Sequence, residues 1–143
     1  MRKKVSVIIP NYNHANYLEK RITTVINQSF QDFEIIILDD CSTDNSRPII
    51  ESFRNNPKIT AIEINNTNSG SPFFQWKKGI EMASGEWIWI AESDDYADSK
   101  FLETAFKEIA KYPDAGVFYC DSFYDTQYGE PYRFSNSSEF KNH

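Results

Sequence analysis

An apolar run that ends on charge, Trp87-Ile88-Trp89-Ile90-Ala91 followed by Glu92-Ser93-Asp94-Asp95, constrains the fold of this chain more than any other segment. An apolar stretch of this length without polar alternation suits a strand buried on both faces, as in parallel sheets covered by helices. Such a strand delivers its last side chains to the carboxyl edge of the sheet, where open α/β sheets place their ligands. The same grammar occurs earlier, where the run from Glu34 to Leu38 ends in Asp39-Asp40. Carboxylates at a strand end suit a hard divalent cation and, through it, a phosphate ligand.

Elsewhere, apolar runs of strand length alternate with helical patterns, which predicts an α/β fold with a mostly parallel sheet flanked by helices. Strands are expected at residues 5–9, 35–38, 59–64 and 117–120, with a further one, fourth in order, in the apolar run that follows Gly85. Between the first two, Leu18, Ile22, Val25 and Ile26 recur at helical spacing. A short helix over 45–53 tolerates Pro48 only in its first turn. Further helices are predicted over 72–83 and after Asp98 or Ser99, where Phe101, Leu102, Ala105, Phe106 and Ile109 form an apolar face. The 143 residues are enough for one ordinary domain, expected over 1–128. Residues 129–143 lose periodicity and are expected to form an irregular tail.

Composition removes several function classes. A formal net charge of -6 argues against a nucleic-acid surface, which usually needs a basic face. A phosphate ligand therefore needs local help from a metal, a lysine or backbone N–H groups. No run approaches the ~20 apolar residues of a membrane span, so a cytoplasmic location is the default. Cys41 and Cys120 have no zinc spacing and read as reduced thiols. There is no G-x-G-x-x-G and no G-x-x-x-x-G-K, and Gly70, Gly79 and Gly85 are spaced for turns and close packing. His14 is the one histidine besides the last residue, which disfavours a Ser-His-Asp triad.

The residues alone leave alternatives at each candidate. Glu92, Asp94 and Asp95 form either a cation site or an acidic patch favourable to the dipole of the next helix. Asp39 and Asp40, with Asp44 and Asn45 behind them, either receive N–H and O–H groups of a nucleoside or close their own loop as an Asx-turn. Tyr12 either stacks on a base or packs on its own loop. Lys77 and Lys78 either approach a diphosphate or form a solvated helix face.

Three motifs taken together, Val5-Ser6-Val7-Ile8-Ile9-Pro10-Asn11-Tyr12-Asn13, then residues 33–44, then Ala83-Ser84-Gly85-Glu86 leading to Glu92-Ser93-Asp94-Asp95, resemble the family 2 glycosyltransferases with the GT-A fold. The resemblance implies inverting transfer of a sugar from a nucleotide-diphosphate donor, commonly a UDP-sugar, to a hydroxyl of a carbohydrate or lipid-linked acceptor, with Mg²⁺ or Mn²⁺ on the diphosphate. This is chemistry of polysaccharide biosynthesis, at the inner face of a membrane where the acceptor is lipid-linked. Carried over by position, Pro10, Tyr12 and Asp40 contact the uracil end, with Asp39 and Glu34 supporting that loop. Asp94 and Asp95 fall in the D-x-D-type element that meets ribose and metal, and Lys77 stands as the candidate diphosphate contact.

Two departures accompany the match: Glu92 stands where many relatives have Asp, and the helix that often carries an Arg-Asn pair reads Trp76-Lys77-Lys78. In this family the catalytic base and most acceptor contacts follow the fifth strand. The expectation is therefore a donor-binding half, truncated after that strand, with the base beyond residue 143. The rival of the same fold is a non-catalytic nucleotide- or partner-binding module. A nucleotidyltransferase would show a Gly- and Arg/Lys-rich loop after the first strand, and residues 10–14 offer none. Eleven Phe, eight Tyr and three Trp exceed the need of a small core, and a homodimer face is one place for the excess.

Overall fold

The computed structural model describes residues 3–120, 122–124 and 132–134. Its elements are β1 (Val5–Asn11), α1 (Ala15–Ile26), β2 (Phe33–Asp39), α2 (Ser46–Phe53), β3 (Ile59–Ile64), α3 (Pro72–Met82), β4 (Trp87–Ile90), α4 (Phe101–Ile109), β5 (Ser122–Tyr124) and β6 (Tyr132–Phe134). β1 to β4 form a parallel sheet in the order β3-β2-β1-β4. Contacts divide the chain into two units, Met1–Thr104 with the whole parallel sheet, and Ala105–His143.

The sheet forms because its two central strands have no polar face. Every residue of β1 and β2 is buried, and Ile8, Ile36 and Leu38 share one core cluster with Met82 and Ile90 packed against it. α1 covers the sheet with the apolar stripe of its period, Leu18, Ile22 and Val25, all at 0% exposure. Pro10 lies inside β1 without cost to the ladder. Ile8 is the last β1 residue to bond β4, through Ala91 N to Ile8 O at 2.8 Å, and alternation points position 10 the same way, past the end of β4.

Two glycines mark where backbones close. A Cβ at Gly85 would lie 2.5 Å from the Ser6 amide nitrogen, and one at Gly79 would lie 2.5 Å from Cγ2 of Ile8. Without a side chain at Gly79 α3 packs this tightly on β1, and without one at Gly85 the chain entering β4 closes on the β1 backbone. Pro48 is the third residue of α2, within its first turn, and Ser71 caps α3 by accepting from the Phe73 N–H at 3.3 Å.

The expected fifth strand at 117–120 is corrected. These residues have no regular structure, and Val117 and Tyr119 are each 81% exposed, so the apolar run does not extend the sheet as a buried strand. β5 instead follows at Ser122–Tyr124 and pairs antiparallel with β6. Of the expected irregular tail at 129–143 only Tyr132–Phe134 is described, as β6; the rest of that segment lies outside the described residues.

Candidate active site

The chain leaves β1 toward β2 on one side and later returns to add β4 on the other, so β1 flanks the switch point of the sheet. Loops leaving the carboxyl ends on either side of such a point diverge and open a crevice. Asn11, Tyr12, Asp39, Asp40 and the residues from Glu92 to Asp95 all lie at that edge.

On the β1/β2 side the carboxylates are consumed by the protein itself. Asp39, at 0% exposure, accepts from Asn11 Nδ2 at 2.8 Å, from the Ser42 hydroxyl at 2.6 Å and from the Ser42 N–H at 3.0 Å. Asn13 adopts φ 56, tolerable for Asn, and its Oδ1 accepts the Thr43 N–H at 2.8 Å. Asp44 reaches back to accept the Ala15 N–H at 2.8 Å, capping α1. The two loops therefore form one unit.

Asp40 is equally engaged. It accepts from Asn65 Nδ2 at 2.7 Å, the Ser69 N–H at 2.9 Å, the Ser69 hydroxyl at 2.7 Å and Gln75 Nε2 at 2.9 Å. These donors approach the capacity of a carboxylate, which has about four lone-pair sites. Asp40 thus fastens the 65–69 loop and α3 to the end of β2, and a base N–H reaches it only by displacing one of them. Pro10 is buried within β1, whereas Tyr12 is 46% exposed at the crevice edge.

The β4 side differs. The Glu92 carboxylate accepts from Trp76 Nε1 at 2.7 Å, Ser93 Oγ lies 2.7 Å from His14 Nδ1, and Arg21 Nε donates to the Glu92 carbonyl at 2.7 Å. Asp94 and Asp95 are exposed. Arg21 Nη2 lies 3.8 Å from Asp95 Oδ2, too far for a hydrogen bond. Asp94 makes no hydrogen bond or ion pair among the described residues. Burial pushes the Glu92 carboxyl above the ordinary carboxylate range; the Trp76 N–H opposes this, while the charges of Asp94 and Asp95 add to it. Negative charge is concentrated here beyond what Arg21 offsets.

Among the described residues no three His, Cys, Asp or Glu side chains are grouped to hold a metal. Two exposed hard-oxygen carboxylates beside uncompensated negative charge nonetheless fit Mg²⁺ or Mn²⁺ of the kind that takes one or two carboxylates and fills its other positions from substrate phosphates and water.

Two of the expected site residues make contacts of another kind. Glu34 lies at the opposite end of the sheet, five residues before Asp39 on an extended strand, roughly 16 Å away. It accepts from the Ser6 hydroxyl at 2.6 Å, from the Ser84 N–H and hydroxyl at 2.8 Å each, and from Thr60 Oγ1 at 3.1 Å. Burial raises its pKa, but these hydrogen bonds outweigh that and hold it below the ordinary range. Lys77 is 75% exposed and lies 3.8 Å from Glu81, one turn on. Lys78 binds Asn65 at 3.1 Å and Glu63 at 3.3 Å instead of the acidic segment.

Residues that the sequence reading missed do more. Gln75 and Trp76, adjacent on α3, reach Asp40 and Glu92 respectively. Arg21 and His14 hold the acidic segment from the side of α1. The available signal was Arg21 itself, a charged residue three positions after Leu18 and four before Val25, on the buried stripe of an amphipathic helix.

A parallel sheet with a switch-point crevice edged by aspartates is an α/β architecture, and the solved glycosyltransferases that match it are of the GT-A type. The chain belongs to glycosyltransferase family 2: residues 6–142 match Glycosyl transferase family 2. Poly(ribitol-phosphate) beta-N-acetylglucosaminyltransferase TarS of Staphylococcus aureus is 37% identical over 106 residues, covering 71% of this chain and 18% of TarS. Glycosyltransferase GlyG of Streptococcus pneumoniae is 31% identical over 141 residues, 98% of this chain and 46% of GlyG. The crystal structure of S. aureus TarS 1-349 in complex with UDP-GlcNAc matches with a TM-score of 0.70 at 34% identity, over 77% of this chain and 32% of that one. The chain thus spans less than half the length of these curated relatives.

Proposed function

We propose that this chain holds the nucleotide-sugar half of an inverting glycosyltransferase whose donor is a UDP-sugar and whose acceptor is a carbohydrate or lipid-linked hydroxyl. The observation that carries the proposal is the contrast within one crevice: carboxylates saturated by protein donors at the β2 end, and an exposed, unpartnered Asp94 at the β4 end. A likeness to TarS, whose crystal structure was solved in complex with UDP-GlcNAc, supports uridine as the nucleoside.

In this reading Tyr12 offers its exposed ring to the base, at the mouth of a loop unit fixed by Asp39, Asn13 and Asp44. Asp40 keeps the 65–69 loop and α3 in place around it. Asp94, with Asp95 beside it, would hold the cation that binds the diphosphate. When bound, Mg²⁺ or Mn²⁺ neutralises the charge that grows on the leaving nucleotide as the glycosidic bond breaks. The acceptor hydroxyl needs a separate general base. Asp39 and Asp40 are engaged by the protein, Asp94 would hold the cation, Asp95 is drawn toward Arg21, and Glu92 is bonded to Trp76, so the base is assigned to none of them. No helix among the described residues is long and apolar enough to cross a membrane; a cytoplasmic location belongs to the proposal.

Thermal-shift measurements with UDP, GDP and CDP, each with and without Mn²⁺, test the donor class. UDP with Mn²⁺ is expected to raise Tm the most, and to lose that effect in a chelator. A folded chain that responds to none of the three nucleotides contradicts the proposal.

A further inference from the structure

Arg21 is an unusual residue to bury. Its side chain is 4% exposed, and its guanidinium carbon lies 5.6 Å from the Trp89 ring centroid. Nε donates to the Glu92 carbonyl at 2.7 Å and Nη2 faces Asp95 at 3.8 Å, while Nη1 is buried with no hydrogen-bond partner. A Leu or Met at position 21 would pack against Trp89 with no charge to desolvate, so packing does not explain an arginine here. Burial lowers the Arg21 pKa, and the charges of Asp95, Asp94 and Glu92 act against that.

The segment is restrained at every residue but one. Glu92 is held at its carbonyl by Arg21 and at its carboxylate by Trp76, Ser93 is held by His14, and Asp95 is drawn toward Arg21. Asp94 alone has a side chain with no hydrogen bond or ion pair among the described residues. We propose that Arg21 is a positioning residue for the diphosphate end of the crevice: its hold on the Glu92 carbonyl fixes the 92–95 backbone, and its attraction for Asp95 leaves Asp94 as the carboxylate presented to the cation. The inference rests on the reading of this crevice as a metal-diphosphate site. A lysine could supply the charge but not the fork that reaches a carbonyl and a carboxylate together.

Calorimetry of Mn²⁺ binding in the presence of UDP, on the wild-type chain, Arg21→Met and Arg21→Lys, tests this, with the ligand-free Tm of each as the structural control. Arg21→Met keeps the stem that packs on Trp89 and is expected to weaken Mn²⁺ binding about tenfold or more, the usual scale for groups that orient metal ligands, with Arg21→Lys in between. Wild-type Mn²⁺ affinity in Arg21→Met, whatever its Tm, overturns the inference. Should Arg21→Met fail to fold, Asp94→Asn and Asp95→Asn decide it. Asp95→Asn is expected to stay within about threefold of wild type while Asp94→Asn loses far more, and the reverse ranking overturns the inference. A wild-type chain with no metal-dependent UDP binding overturns the crevice reading and this inference together, whereas wild-type binding with an indifferent Arg21→Met overturns the inference alone.

Discussion

The two acidic strand ends of this sheet are written alike and behave oppositely. Asp39 and Asp40 are 0% and 4% exposed and are surrounded by protein donors, whereas Asp94 and Asp95 stand in solvent with one distant arginine between them. The difference comes from what the neighbouring loops supply. Beyond β2, Asn11, Ser42, Asn65, Ser69 and Gln75 converge with N–H and O–H groups. Beyond β4, Arg21 and Trp76 donate to Glu92, His14 shares a hydrogen bond with Ser93, and all three stop short of Asp94. A carboxylate that the protein has satisfied shapes a site, and one left unsatisfied is available to a ligand.

If that contrast is right, removing a carboxylate from each end has different consequences. Asp40→Ala strips the acceptor from Asn65, Ser69 and Gln75, several of them poorly placed to find water, and is expected to cost about 3 kcal/mol of stability by urea denaturation. A loss below ~1 kcal/mol would mean that Asp40 is not the fastening point described here.

The next effect is confined to low pH and concerns the far end of the sheet. Glu34 has a folded pKa below its ordinary unfolded value of about 4.3, so its stabilisation is complete above that value and disappears as pH falls through the lower folded pKa. The urea midpoints of wild type and Glu34→Gln are therefore expected to differ at neutral pH and to converge as pH falls through the folded pKa. A gap independent of pH would show that hydrogen-bond geometry rather than charge is what Glu34 supplies. The smallest effect is expected at Lys77→Ala, where stability and UDP affinity should both stay within about 0.5 kcal/mol of wild type, as usual for an exposed position. A larger loss of UDP affinity would return Lys77 to the diphosphate.

Much of this was legible in the sequence, and the particular residues show why. The central strands β1 and β2 announce themselves because strands buried on both faces must be apolar throughout, and the acids that follow β2 and β4 mark the carboxyl edge, although β4, an edge strand, leaves Ile88 exposed. The failure at 117–120 has the same root: an apolar run reports a capacity for burial, and Val117 and Tyr119 are exposed nonetheless. Glu34, carried over by resemblance as a support of the Asp39 loop, stands at the far end of β2 from it, because an extended strand separates its ends more than any other element. Gln75, Trp76 and Arg21 were missed because a polar side chain on a helix gains its role from a partner on another element. Arg21 and Glu92 are 71 residues apart in the chain, and no local pattern links them.

The central claim is that Asp94 is the crevice carboxylate left for a metal-bound nucleotide diphosphate. Isothermal titration of UDP into the wild-type chain and into Asp94→Asn, each with Mn²⁺ and with a chelator, tests it most directly. The account predicts binding by the wild type that requires Mn²⁺, and an Asp94→Asn protein of unchanged Tm whose UDP binding no longer responds to the metal. Asp94→Asn that binds UDP with wild-type affinity and the same dependence on Mn²⁺ would contradict it.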